Sequence, residues 1–271
     1  MSFPETMRTP FSHFKVEDGV AYFIFDNPNA KNAVDEFICQ DISDCTNYCT
    51  EHDEIRVLVF KGNNGCFSAG GDIKSMKDCI DHPETLEIPI TAGVRQMGQA
   101  AWDVRACAKP TVAWMEGSAA GAGLSIALAC DFRIADEGCK MNFGFSKIGY
   151  IPDMGATFAC TRILGVALTT ELFLTGRTFT AKDAAEWHLV TKAVPLEELE
   201  AAAMKMITKL AQGPTLAYNY IKTCINRATM SGYSLLVEDE AVYQNILRRS
   251  QDHIEGVRAF LEKRPPHYIG K

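Results

Sequence analysis

Short apolar runs alternate with longer stretches of helical spacing along the first two thirds of the chain. Val20-Ala21-Tyr22-Phe23-Ile24-Phe25 is rich in aromatic and β-branched residues and stops at the turn signal Asp26-Asn27-Pro28-Asn29, which predicts a strand. Apolar positions recur at helical intervals over 34–50. A second run, Val57-Leu58-Val59-Phe60, is closed by Lys61-Gly62-Asn63-Asn64-Gly65, and a helix is expected from about Ile73. The unit then repeats as a strand over 111–115, a glycine-rich turn over 117–123, a helix to Cys130 and a strand over 132–135. Strand, turn and helix in this recurring order predict an α/β fold with parallel strands.

Beyond about Glu197 the strand signals stop, and helical spacing fills 199–211, 215–230, 235–250 and 253–263. The change at Val194-Pro195 divides the chain into an α/β core, residues 1–195, and a C-terminal helical subdomain, residues 196–271. No Gly/Ser-rich or charged low-complexity stretch separates them, so the helices are expected to pack on the core.

With 271 residues, 47% of them hydrophobic, the chain can bury a substantial core. Its 34 acidic against 27 basic residues give a net charge of −7 and no basic run, which argues against a nucleic-acid partner. An anionic ligand would have to be held locally, by a few cations and helix N-termini. The ten cysteines include no C-x-x-C and read as reduced core thiols. Neither a signal-peptide core nor about 18 uninterrupted apolar residues occurs, so no membrane span and a cytoplasmic location are expected. The six histidines form no ligand cluster, and no metal is expected.

Two turns carry the candidate chemistry: Cys66-Phe67-Ser68-Ala69-Gly70-Gly71-Asp72-Ile73 and Glu116-Gly117-Ser118-Ala119-Ala120-Gly121-Ala122-Gly123. Each lies where a strand hands over to a helix. Small residues there let a ligand approach the main chain, and free amides at a helix start favour an anion. Taken singly, such glycines also serve tight turns and close packing. Taken together, two converging amides would make an oxyanion hole, in which each donor is worth about 3 to 4 kcal/mol of transition-state stabilisation. Neither G-x-G-x-x-G nor G-x-x-x-x-G-K-[ST] is present, which argues against dinucleotide and P-loop chemistry.

Both turns resemble the oxyanion-hole signatures of the crotonase (enoyl-coenzyme A hydratase and isomerase) superfamily. The resemblance continues through Ala129-Cys130-Asp131-Phe132-Arg133-Ile134-Ala135, through Ile148-Gly149-Tyr150-Ile151-Pro152-Asp153 and into Glu255-Gly256-Val257-Arg258-Ala259-Phe260-Leu261-Glu262-Lys263-Arg264. It implies a spiral of ββα units with a C-terminal helical subdomain, assembled as a homotrimer or homohexamer. It further implies an acyl-CoA thioester as substrate, with no separate cofactor because the substrate carries the coenzyme. On this resemblance the amides of Gly71 and Ala122 form the hole, Ala69, Gly70, Asp72 and Ile73 belong to the coenzyme-binding segment, and Lys263 approaches the coenzyme phosphates.

Hydratases of the superfamily use two glutamates, and here those positions fall on Ser125 and Phe145. Neither can activate water or deliver a proton as a carboxyl does, so hydration is disfavoured. Asp153 remains. As a sequence feature it fits an N-cap of the helix running toward Leu164; within the crotonase frame it fits a base with a raised pKa. The stretch before it is similar to that of epoxyphenylacetyl-CoA isomerases and of cis-3/trans-2 enoyl-CoA isomerases, so an isomerase with one carboxylate is expected. Other crotonase chemistry, namely hydratase, decarboxylase or dehalogenase-like activity, and a non-catalytic thioester-binding protein are the alternatives. Glu116 is a further candidate acid. Phe145, Ile151, Met154 and Trp102 are expected pocket walls, and the segment 78–99 is expected to shape the acyl pocket.

Overall fold

The computed structural model describes residues 7–82 and 90–271. Part of the segment expected to shape the acyl pocket, 83–89, therefore lies outside the described residues. A six-stranded sheet runs in the order β1 (Ser12–Glu17), β2 (Val20–Phe25), β3 (Val57–Gly62), β4 (Thr111–Met115), β6 (Phe132–Asp136), β9 (Lys192–Val194). Only the β1–β2 hairpin is antiparallel, and every later pair is parallel. The hairpin turns at Asp18 and Gly19, both at positive φ, as a tight two-residue turn requires. A second sheet joins β5 (Ser118–Ala120), β7 (Lys140–Asn142) and β8 (Phe179–Thr180).

Successive residues of a strand face opposite sides, and β3 shows the consequence. Leu58 and Phe60 enter the larger core with Ile38 and Ile42 of α1 (Glu36–Glu51) and Val104 of α3 (Ile90–Ala106). Val57 and Val59 face the other way and meet Leu199, Ala203, Ile207 and Leu210 of α8 (Leu196–Ala211), which recur every three to four residues along one helix face. Each such side chain contributes about 1.5–3 kcal/mol on burial. Covered on both sides, the strand is apolar from Val57 to Phe60 and shows no polar alternation there. β1 escaped the sequence reading because it is an edge strand whose residues beyond Ser12 are mostly exposed.

The chain also forms α2 (Ile73–Asp81), α4 (Gly121–Ala129), α5 (Ala156–Ile163), α6 (Gly165–Thr175) and α7 (Ala181–Glu186). The chain ends in α9 (Thr215–Ala228), α10 (Tyr233–Leu247) and α11 (Gln251–Glu262). α9 is tied to the core by the buried Lys222, whose Nζ lies 2.6 Å from Asp131 Oδ2 and donates to the Lys109 carbonyl at 2.7 Å. The buried Asp252 at the start of α11 accepts from the amides of Ile269 and Gly270 at 2.7 and 2.9 Å, folding the final residues back onto that helix.

The two glycine-rich turns are hydrogen-bonded to each other. Phe67 and Ser68 donate to the Ser118 carbonyl at 3.0 and 3.1 Å, and Ala120 donates back to Ser68 at 2.9 Å. A third loop joins them through Asn32, buried at positive φ, whose side-chain amide donates to the carbonyls of Asn63 at 3.0 Å and Cys66 at 2.6 Å. The approach is close enough that Gly117, at φ +67°, would place a Cβ 2.1 Å from the Gly65 carbonyl oxygen. Gly117→Ala is therefore expected to lower stability by about 2 kcal/mol or more, read from the midpoint of chemical denaturation. Gly149→Ala, with open space around the Cβ, should cost only the left-handed conformation, about 1 kcal/mol. Equal losses would contradict the packing of the two turns.

Candidate active site

A cavity of about 580 Å³ opens where the two turns meet, and Gly71, Ala122, Phe145 and Asp153 all line it. Ala120 is the N-cap of α4, so Gly121 and Ala122 are its first two residues, and their amides have no carbonyl four residues back within the helix. The helix is apolar and buried from Ala122 to Leu128, so its positive end is delivered to the cavity wall. From the other turn, Gly71 donates no backbone hydrogen bond among the described residues. Its position is fixed instead by the neighbouring Gly70 carbonyl, which accepts from Val34 at 2.7 Å. The two residues expected to supply amides to an oxyanion thus line one space.

Ala69, Gly70, Asp72 and Ile73 line the same cavity. The Asp72 carboxylate is occupied with capping α2, accepting from Lys74 at 2.8 Å and Ser75 at 3.3 Å. Lys263 ends α11 in the left-handed conformation and is not brought to this cavity.

Asp153 does not cap a helix with its side chain. The N-cap of α5 is Gly155, and Asp153 contributes only its main-chain carbonyl, which accepts from Ala156 at 3.0 Å. Met154 and Gly155 both sit at positive φ, and the strain at Met154, of order 1 kcal/mol, is held by burying its side chain in the core. This turn presents the preceding carboxyl to the cavity. Asp153 Oδ1 is shielded from solvent and has no hydrogen-bond partner among the described residues. Burial raises the Asp153 pKa above the usual carboxylate value, opposed only by its own backbone amide. A desolvated, unpaired carboxylate of this kind suits a general base.

The other two positions offer no such group. Ser125 is buried and its hydroxyl donates to the Gly121 carbonyl at 3.1 Å, while Phe145 contributes a ring to the wall. Three expected wall residues are placed elsewhere: Met154 lies in the core, while Ile151 and Trp102 are solvent-exposed away from the lining. Met76 and Ile80 of α2 and Val94 and Met97 of α3 form the apolar wall instead. Glu116 does not reach the cavity. Asp35, the N-cap of α1, does; its capping pattern concealed this from the sequence reading.

A family model described as enoyl-CoA hydratase/isomerase matches residues 15–271. Trans-2-decenoyl-[acyl-carrier-protein] isomerase of Streptococcus mutans is 30% identical over 258 residues, covering 95% of this chain and 97% of that protein. 1,2-Epoxyphenylacetyl-CoA isomerase of Escherichia coli is 32% identical over 261 residues, covering 94% and 97%. The crystal structure of an enoyl-CoA hydratase from Polaromonas sp. JS666 superposes with a TM-score of 0.88 at 28% identity, covering 95% of this chain and 99% of that one.

The burial of Asp153 has a consequence for stability. Because its folded pKa is raised, the folded state binds this proton more tightly than the unfolded state does. The charged form therefore costs stability at every pH above the folded pKa, and the cost fades as pH falls below the unfolded value near 3.9. Asp153→Asn, which carries no charge, should be more stable than the parent at pH 7 to 8 by of order 1 kcal/mol, with the difference closing toward pH 4. Thermal unfolding across this range checks it; a variant less stable at pH 8 would show that the carboxylate is not desolvated.

Proposed function

This chain belongs to the enoyl-CoA hydratase/isomerase family, and within it we propose an acyl-thioester isomerase that shifts a double bond from the 3 to the 2 position, or rearranges a ring acyl group, through an enolate. The observation that carries the reading is Asp153, whose solvent-shielded Oδ1 has no hydrogen-bond partner among the described residues, in the cavity that Gly71 and Ala122 also line, with no carboxylate at Ser125 or Phe145.

The thioester oxygen accepts from the two amides, which acidifies the α-carbon. Asp153 takes the α-proton, and the electron pair left behind spreads into the carbonyl, placing negative charge on the oxygen the amides hold. The double bond moves into conjugation as the same carboxyl group returns the proton two carbons further along. Ala69, Gly70, Asp72 and Ile73 flank the route of the thiol carrier. No cofactor beyond the substrate's own coenzyme enters the reaction. The isomerases among the relatives support this reading, and the ten free cysteines, none in a disulfide, fit a cytoplasmic setting.

We also assign a homotrimer or homohexamer. α10 buries no residue in the protomer, yet it exposes Tyr233, Leu235 and Val242, and α9 beside it exposes Ile221 and Ile225. An apolar face of this kind marks an interface. Sedimentation equilibrium should return a multiple of three protomers, and a stable monomer at micromolar concentration would reject the assignment.

The base is tested with a 3-enoyl-CoA in deuterated water. The parent should produce the conjugated thioester with some label at the carbon that gains the proton, and should scarcely hydrate crotonyl-CoA. Asn matches Asp in size, so Asp153→Asn should lose several orders of magnitude in turnover while still binding thioester. Parent turnover should fall at acid pH with an apparent pKa above the ordinary 3.9 or so, the direction that burial imposes. Retention of more than about a tenth of the parent rate, a loss under about 1.4 kcal/mol, would remove Asp153 from the mechanism. Binding with neither product nor label would identify a non-catalytic thioester-binding protein.

A further inference from the structure

The cavity holds more negative charge than the proposed reaction uses. Asp35, Glu36, Asp72 and Asp153 all line it, and Lys147 is the cation on its wall among the described residues. Lys147 is exposed and lies along Gly176, and no ion pair among the described residues joins it to those carboxylates. Tyr150 adds an exposed phenol. Asp72 is spent on α2, and Asp153 is the base.

Asp35 is built into the wall. One carboxylate oxygen accepts from the Ile38 amide at 2.8 Å, capping α1, and the preceding residue, Val34, donates to Gly70 in the turn that carries Gly71. The carboxyl is therefore held at a set position relative to the hole. The bridge between Val34 and Gly71 sets Asp35 beside the turn that carries the Gly71 amide, in the cavity that Asp153 and the apolar faces of α2 and α3 also line, where the acyl group would enter. Desolvation raises the Asp35 proton affinity, against the hydrogen bonds of the helix start.

We propose that Asp35 is a charge filter for the acyl group, repelling acyl chains that carry a carboxylate and admitting uncharged ones against the apolar wall of Met76, Ile80, Val94 and Met97. The proposal rests on reading the cavity as a thioester site. Like charges in a half-desolvated space are screened far less than in bulk water, and the one cation on the wall among the described residues, Lys147, is exposed to solvent and not held against Asp35 by an ion pair. The same argument disfavours a decarboxylase, whose substrate would bring such a group.

Two saturated thioesters, which cannot be isomerised, separate the filter from catalysis: octanoyl-CoA and the CoA monothioester of octanedioic acid, titrated into the full-length protein by calorimetry. The octanedioyl thioester should bind at least about 10-fold more weakly to the parent. The gap should fall below about 3-fold in Asp35→Asn and in Asp35→Ser, both of which keep a helix-capping side chain. Circular dichroism reports whether the variants fold, and the parent comparison stands without them. Equal binding of the two thioesters to the parent overturns the filter, as does an unchanged gap in both folded variants, or a gap that collapses in Glu36→Gln instead. If neither thioester binds, the thioester reading falls and the filter with it. Discrimination in a protein without isomerase activity would sustain the filter and reject only the isomerase.

Discussion

The structure depends on main-chain pairing between the two glycine-rich turns. Hydrogen bonds from Phe67 and Ser68 to Ser118, and from Ala120 back to Ser68, hold the end of β3 and the start of α4 at a single spacing. Side chains cannot intrude at this contact. A Cβ on Gly123 would lie 2.4 Å from the Ser68 hydroxyl, and one on Gly70 would lie 3.0 Å from the Ala120 carbonyl. Asn32 extends the pairing to the loop before α1, which brings Asp35 to the wall. The shared cavity therefore follows from the fold's own hydrogen bonding: Gly71 and Ala122, one from each of these paired turns, are left lining a single space.

That space is maintained at a cost in stability. Asp153 is kept from solvent on one oxygen with no partner, and Met154 is held at a positive φ that a non-glycine residue adopts reluctantly. Each is unfavourable alone, by of order 1 kcal/mol or more. The surrounding core over-determines both, since Met154 packs with Phe145 and Ala156 in the large cluster that also contains the inner faces of β3 and β4. A packed apolar scaffold can thus carry a carboxyl group whose proton affinity is raised by burial. Electrostatics across the rest of the cavity points the same way, with acidic residues fixed by their roles as helix caps.

Much of this was legible in the chain. The strands β2, β3, β4 and β6 announce themselves because parallel strands covered on both faces are largely apolar, and the glycine-rich turns because few other residues fit there, although β5 reads as part of the second turn. The later part of the core was less readable. β7, β8 and β9 are three residues or shorter, too brief for a periodic signal, and α7 is a single capped turn and a half. Glu116 was a fair candidate from its place after β4, yet that position leaves it outside the cavity. Asp35 was hidden for a related reason: Val34-Asp35-Glu36 before a helix reads as a cap, and it is a cap, but nothing local reveals that the cap also faces a ligand space.

By itself the sequence determined the alternation of strands and helices, the two turns and the presence of a lone acid after Pro152, because these follow from local sterics, periodicity and residue chemistry. Only the tertiary structure decided which acids share a space with the amides. It removed Glu116, brought in Asp35 and showed that Asp153 does not cap α5 with its side chain. It also exchanged Ile151, Met154 and Trp102 for the apolar faces of α2 and α3. The physical reason is that a carboxyl group's partners and its loss of solvent are set by elements far away in the chain. The environment that makes an aspartate a base or a filter exists only once those elements have packed.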